Sequence, residues 1–136
     1  MELWRTLSEA RALGHMMQAA DIEALVARQV ARISQPELLE ALRPLLVQPR
    51  CEQRPWDYGA PDQTYPCWIV AEHQGSNTGI AFCESGFGPS CPWGLLFLHG
   101  PHSSMGMDSQ WFASLEEAFR DSMAWEGENP TGYQAS

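Results

Sequence analysis

The chain contains no lysine, and of its eight basic residues only Arg120 lies beyond residue 54. A Walker-type phosphate loop needs a Lys to reach the phosphates, so that motif is excluded. Gly86-Phe87-Gly88 runs into Pro89 rather than into a helix N-terminus, so it offers no anion cradle either. No stretch approaches the ~18 consecutive apolar residues of a membrane-spanning helix. The first twenty residues interrupt their apolar positions with Glu2, Arg5, Glu9 and Arg11, unlike a secretory leader, so the expected location is cytoplasmic. The four cysteines, at 51, 67, 83 and 91, form no C-x-x-C pair. They read as reduced thiols, some buried as small hydrophobes.

What is present is a folding composition, with 44% hydrophobic and 18% charged residues over 136 positions. That length suits one core. The expected division is a single α+β domain over 1–125, with a helical part at 1–44, a sheet plus last helix at 45–125, and a flexible tail at 126–136. The charge is unevenly placed. Residues 1–54 hold seven Arg and seven acids, whereas residues 55–136 hold ten acids and one Arg, so the whole net charge of −9 sits in the second part. Five of the six Trp lie there too. An acidic surface repels phosphate, which argues against nucleic acid and anionic membranes and favours a basic protein partner.

Helical spacing recurs three times in the first third. Trp4, Leu7, Ala10, Leu13 and Met17 recur at helical spacing, and Thr6 followed by Glu9 fits a capping box. Asp21 is the expected N-cap of a second helix with Ile22, Leu25, Val26, Val30 and Ile33 as its apolar stripe. Ser34-Gln35-Pro36-Glu37 opens a third, with Ser34 as cap, which Pro44 ends or kinks near Arg43. Leu45-Leu46-Val47 favours a strand start over a continued helix. Residues 55–66 read as a loop. Strands are expected at Cys67–His73 and Gly79–Glu84, with Ile80 and Phe82 on one face and Ala81 and Cys83 on the other. Trp93–Leu98 is apolar on both faces and reads as a central, doubly covered strand, with a short edge strand around Met105–Met107. Ser114-Leu115-Glu116-Glu117 caps a last helix that turns Leu115, Phe119 and Met123 inward. The sum is an α+β fold: N-terminal helices packed with a three- to five-stranded, mainly antiparallel sheet and a C-terminal helix.

Cys83, Cys91, His99 and His102 supply the donor types of tetrahedral zinc without the close ligand pairs of the common zinc modules. A small zinc- or thiol-dependent enzyme is therefore the alternative function. A thiol nucleophile at Cys91 lacks an evident activating base. No paired carboxylates, no nucleophile elbow and no cofactor motif stand out, so no catalytic, metal or cofactor site is assigned. The remaining feature is a set of aromatics interleaved with acids: Trp56, Asp57, Tyr58, Asp62 and Tyr65, then Glu84 and Phe87, then Asp108, Trp111 and Glu117. Aromatics supply buried area and acids supply steering toward Arg or Lys, so these ten residues form the candidate partner-binding set. A structural or regulatory subunit of a larger assembly would use the same face.

The phrases YPCWIVAEH, NTGIAFCESGFGPSCPWGLLFL and MGMDSQWFASLEEAFRDS give the region 65–120 a texture similar to small bacterial proteins, some of which resemble the immunity proteins of polymorphic toxin systems. The resemblance covers less than half of the chain and transfers no residue role. It implies a non-enzymatic protein that binds and neutralises a co-encoded, basic toxin.

Overall fold

The computed structural model describes residues 17–56, 62–84, 90–100, 104–105 and 110–133. The helix expected from Thr6 onward lies outside them. The described chain runs α1 (Ala19–Ala31), α2 (Pro36–Leu42), a 3-10 turn at Arg43–Leu45, then β1 (Leu46–Pro55) and β2 (Thr64–His73). A second 3-10 turn at Gln74–Ser76 leads to β3 (Thr78–Phe82), β4 (Trp93–Phe97), β5 (Trp111–Phe112) and α3 (Leu115–Arg120). The strands form one sheet in the order β1-β2-β3-β4-β5, antiparallel throughout. The fold class is α+β, as the periodicity predicts.

The helix starts differ from expectation by a few residues. Gln18, not Asp21, caps α1. Asp21 sits in the first turn and accepts the Gln18 backbone N–H at 2.8 Å, closing a reciprocal box. Gln35 replaces Ser34 as the α2 cap, which puts Pro36 at the first helical position where its missing N–H costs nothing. Ser114 does cap α3, accepting the Glu117 N–H at 3.1 Å. A second orphan donor of α3, Leu115 N–H, bonds Gln29 Oε1 at 3.0 Å, so α1 and α3 are fastened where α3 begins.

Each face of the sheet buries a separate core. On the helix side, register aligns Trp68, Phe82, Trp93 and Phe112 as one row across four strands. Phe82 and Trp93 meet edge to face at 5.0 Å between centroids, the arrangement that ring quadrupoles favour. Ile22, Leu38, Leu42, Leu115 and Phe119 cover this row from the helices and are fully buried. Each such side chain contributes about 1.5–3 kcal/mol by leaving water. The other face holds Cys67, Ile69, Ala81, Cys83, Leu96 and Leu98, closed over by Met105 and Trp111.

A bulge in β2 keeps the two faces chemically distinct. Ile69 faces Ala81 but Ala71 faces Ile80, one residue out of step. Val70 and Ala71 therefore both enter the helix-side core. Strict alternation would have sent Glu72 into that core; the extra residue returns it to the face of Arg50 and Glu52.

β4 is an interior strand with a core on each face, as its two apolar faces predict, while β3 holds the middle of the sheet. Two other strand expectations are corrected. The edge strand near the C-terminus is Trp111–Phe112, while Met105 lies outside any strand. β1 and β2 extend to Pro55 and from Thr64, into the stretch read as loop. The prolines at 49 and 55 are tolerated because β1 is an edge. Met123 is also not inward: α3 ends at Arg120 and Met123 is 61% exposed. Part of the expected tail is held in place. Arg120 donates to Asn129 Oδ1 at 2.9 Å and lies over the Tyr133 ring, while Gln35 donates to the Glu128 carbonyl at 3.1 Å.

Gly94 is the tightest point of the second core. Its neighbours on that face, Ala81 and Ile69, leave a shallow lane in which the Trp111 indole lies flat. A β-carbon at Gly94 would stand 2.5 Å from the indole ring. Gly94→Ala is expected to destabilise the protein by about 1–3 kcal/mol through overpacking. Urea unfolding of the two proteins measures this; equal midpoints would mean that Trp111 does not rest on Gly94.

Candidate functional site

The topology gathers most of the described candidate residues at one end of the sheet. The C-terminal end of β1, the N-terminal end of β2, the C-terminal end of β3 and the N-terminal end of β4 all finish there. Trp56, Asp62, Tyr65 and Glu84 belong to that end. Asp57, Tyr58, Phe87 and Asp108 lie outside the described residues. Trp56 and Tyr65 are half-buried and pack against the second core, so each presents one edge to solvent. Asp62 is exposed and Glu84 half-buried.

Two of the expected contact residues have structural work instead. Trp111 is buried at 4% exposure and donates its indole N–H to the Met105 carbonyl at 2.9 Å, so it is no surface anchor. Periodicity could not reveal this, because the partner of Trp111 is a missing side chain at Gly94. Glu117 stands in the first turn of α3, half-buried, with Oε1 receiving the Ser114 hydroxyl at 3.2 Å. Its position serves the cap and the helix dipole.

The charges of the sheet form a connected ladder on the face of the second core. Arg54 is 3% exposed. Its guanidinium donates to Glu52 Oε1 at 2.7 and 3.0 Å, to the Phe97 carbonyl at 2.7 Å and to the Leu98 carbonyl at 3.3 Å. Glu52 also accepts from Arg50 at 3.0 Å, and Arg50 pairs in turn with Glu72. Arg50 is held charged chiefly by that Glu72 bond. Burial raises the Glu52 carboxyl, but hydrogen bonds from Arg54 and Arg50 outweigh it and leave the group below its ordinary value. Arg120, the last cation of the chain, is 7% exposed and bonded to Glu116 at 2.7 Å.

The Cys/His donor set does not assemble. Cys83 and Cys91 lie beside the start of β4, where Cys83 N–H bonds the Pro92 carbonyl at 2.8 Å. His99 lies past its other end, with its backbone bonded on both sides to the Asn77 side chain. β4 alone separates them by about 16 Å at ~3.3 Å per residue, far beyond a shared coordination sphere. His102 lies outside the described residues, and among the described residues no three metal-ligating side chains converge.

A feature the sequence hides lies at the other end of the sheet. A shallow cleft runs between the β2–β3 hairpin and the end of α3, lined by Glu72, His73, Thr78, Leu95, Phe119 and Ala124 among others. The exposed apolar residue Phe97 lies on β4, which supplies Leu95, and exposed Met123 lies between the lining residues Ser122 and Ala124. His73 Nδ1 meets Ser76 Oγ at 2.7 Å, and Ser76 Oγ meets Thr78 Oγ1 at 2.6 Å. Ser76 also bonds the His73 carbonyl, so this chain of hydroxyls closes the turn.

Two measurements test the ladder. Arg54→Ala takes one of two cations from Glu52 and the donors from the Phe97 and Leu98 carbonyls, and is expected to cost about 1–3 kcal/mol in urea unfolding; a loss within ~0.5 kcal/mol would make Arg54 a surface residue in practice. Glu52 titrates lower folded than unfolded. Its contribution is complete above the unfolded value of about 4.3 and is lost as pH falls through the folded one. The stability gap between wild type and Glu52→Gln should therefore shrink between about pH 5 and pH 3. A gap constant over that window would remove the ionic part of this pairing.

Comparison with protein-family models, curated proteins and solved structures finds no match to this chain.

Proposed function

We propose that this is a non-enzymatic binding protein that neutralises a basic protein partner, of the kind formed by a bacterial toxin and its co-encoded immunity protein. One observation carries the reading: every arginine of the sheet half is paired within the chain, with Arg54 and Arg120 buried and the Arg50 side chain 41% exposed. Arg50, Arg54 and Arg120 are each bonded to a carboxylate of the same chain. The acids from residue 55 onward outnumber cations ten to one, so their field is left to act outward. The end of the sheet carrying Asp62 and Glu84 sets it beside the half-exposed rings of Trp56 and Tyr65. Such a face steers a cationic surface by long-range attraction and then buries aromatic area against it. A toxin that attacks nucleic acid has to be basic where it meets phosphate, which gives this acidic face a complement.

Affinity capture from the native lysate, at low salt and at ~0.5 M salt where exposed charge pairs are screened, is the direct test. One stoichiometric basic partner, retained at low salt and shed at high salt, is the expected result. With that partner in hand, the Asp57→Arg/Asp62→Arg double variant should slow association by roughly 10-fold and flatten its salt dependence. Association unchanged by both reversals would take this end of the sheet out of the interface. A captured partner of acidic charge would sink the reading.

A further inference from the structure

We propose that Cys67 and Cys83 are an oxidisable dithiol, a site at which a small peroxide joins β2 to β3 through one disulfide. The pairing of Trp68 with Phe82 sets Cys67 opposite Cys83 at the next step of the ladder. Both side chains are fully buried in the second core, and their sulfurs are in hydrogen-bond contact. Residues directly opposite in an antiparallel pair stand about 4.5–5.5 Å apart at Cα. That falls inside the ~4.4–6.8 Å that a disulfide requires at Cα, so the bond needs rotation of side chains and a small approach of the two strands.

The chemistry balances with hydrogen peroxide alone. One thiol ionises and takes an oxygen from the peroxide; the hydroxide released accepts that thiol's proton and leaves as water. The resulting sulfenic acid is attacked by the second sulfur, which loses its proton as the S–S bond forms and the S–OH bond breaks, releasing a second water. Two thiols and one peroxide become one disulfide and two waters. Donation of the Cys67 S–H to Cys83, together with burial, pushes the Cys67 thiol well up, so thiolate is scarce in the closed fold. Oxidation therefore waits on opening of the sheet end where Trp56 and Cys91 pack against this core. The buried pair is set apart from Cys51, which is exposed on β1.

The inference is independent of the partner reading, and the unaltered full-length chain tests it. The protein is exposed to one equivalent of hydrogen peroxide, quenched with iodoacetamide, denatured, digested and mapped by mass spectrometry. The expected product is a Cys67 peptide joined to a Cys83 peptide, two hydrogens lighter than the reduced pair, with Cys91 alkylated. The Cys51→Ser protein should give the same link, which separates it from chemistry at the exposed thiol. A Cys83–Cys91 link, disulfides only between chains through Cys51, or complete alkylation of Cys67 and Cys83 after prolonged exposure would overturn the proposal.

Discussion

A guanidinium buried to 3% exposure is an expensive object, and the second core of this protein is arranged around one. Arg54 leaves the edge strand β1, yet it bonds carbonyls at the far end of β4, three strands away in the sheet order. A flat sheet would keep those strands well apart, since neighbours lie about 4.8 Å from one another. The sheet must therefore curl until β1 arches over its own concave face. Burial of the charge is offset by five donors with a carboxylate and two carbonyls to receive them. Lysine in its place would have a compact ammonium with three donors and could not reach this planar set. The Pro55 carbonyl, accepting Met105 N–H at 2.9 Å, continues the closure one residue further on.

That curl explains why two cores coexist in a chain of this length. Helices cover the convex face, and the sheet's own edge, Met105 and Trp111 cover the concave one. The concave lane is narrow, which is why it is floored by Ala81 and Gly94 and why a flat indole fits where a branched side chain would not. The β2 bulge is the companion device. By returning Glu72 to the concave side it gives Arg50 a second carboxylate, so the ladder Glu72–Arg50–Glu52–Arg54 is continuous along the edge. A charged, proline-bearing edge of this kind also discourages strand pairing with other chains.

Much of this was legible in the residues. Alternation placed Ile80 and Phe82 opposite Ala81 and Cys83, and the short connections gave an antiparallel meander. The α3 start was readable because Ser114 and Glu117 carry its signal locally. What escaped were long-range facts. Gln18 and Gln35 displace better-ranked caps because the chain's path, not side-chain preference, decides where the helices begin. Met123 continues the helical period of Leu115 and Phe119, but the helix stops first. Trp111 looked like a surface anchor because tryptophan at a loop end serves either role, and only its seat on Gly94 decides. The candidate end of the sheet was half legible: strand register puts Trp56, Asp62, Tyr65 and Glu84 at one end of the sheet, whereas Trp111 and Glu117 were drawn into packing and capping.

The same accounting bears on how the protein meets others. A domain whose acids were matched by surface arginines would have a field that cancels within a Debye length of about 8–10 Å. Here Arg50 and Arg54 are spent in closing the sheet, and Arg120 ties α3 to Asn129 and Tyr133. Weakening the ladder by exposing Arg54 would both open the concave core and return a cation to the acidic side. The aromatic rings at the loop end then have a reason to stay half-covered: packed on the concave core they are held rigid, and a rigid ring loses little entropy on binding.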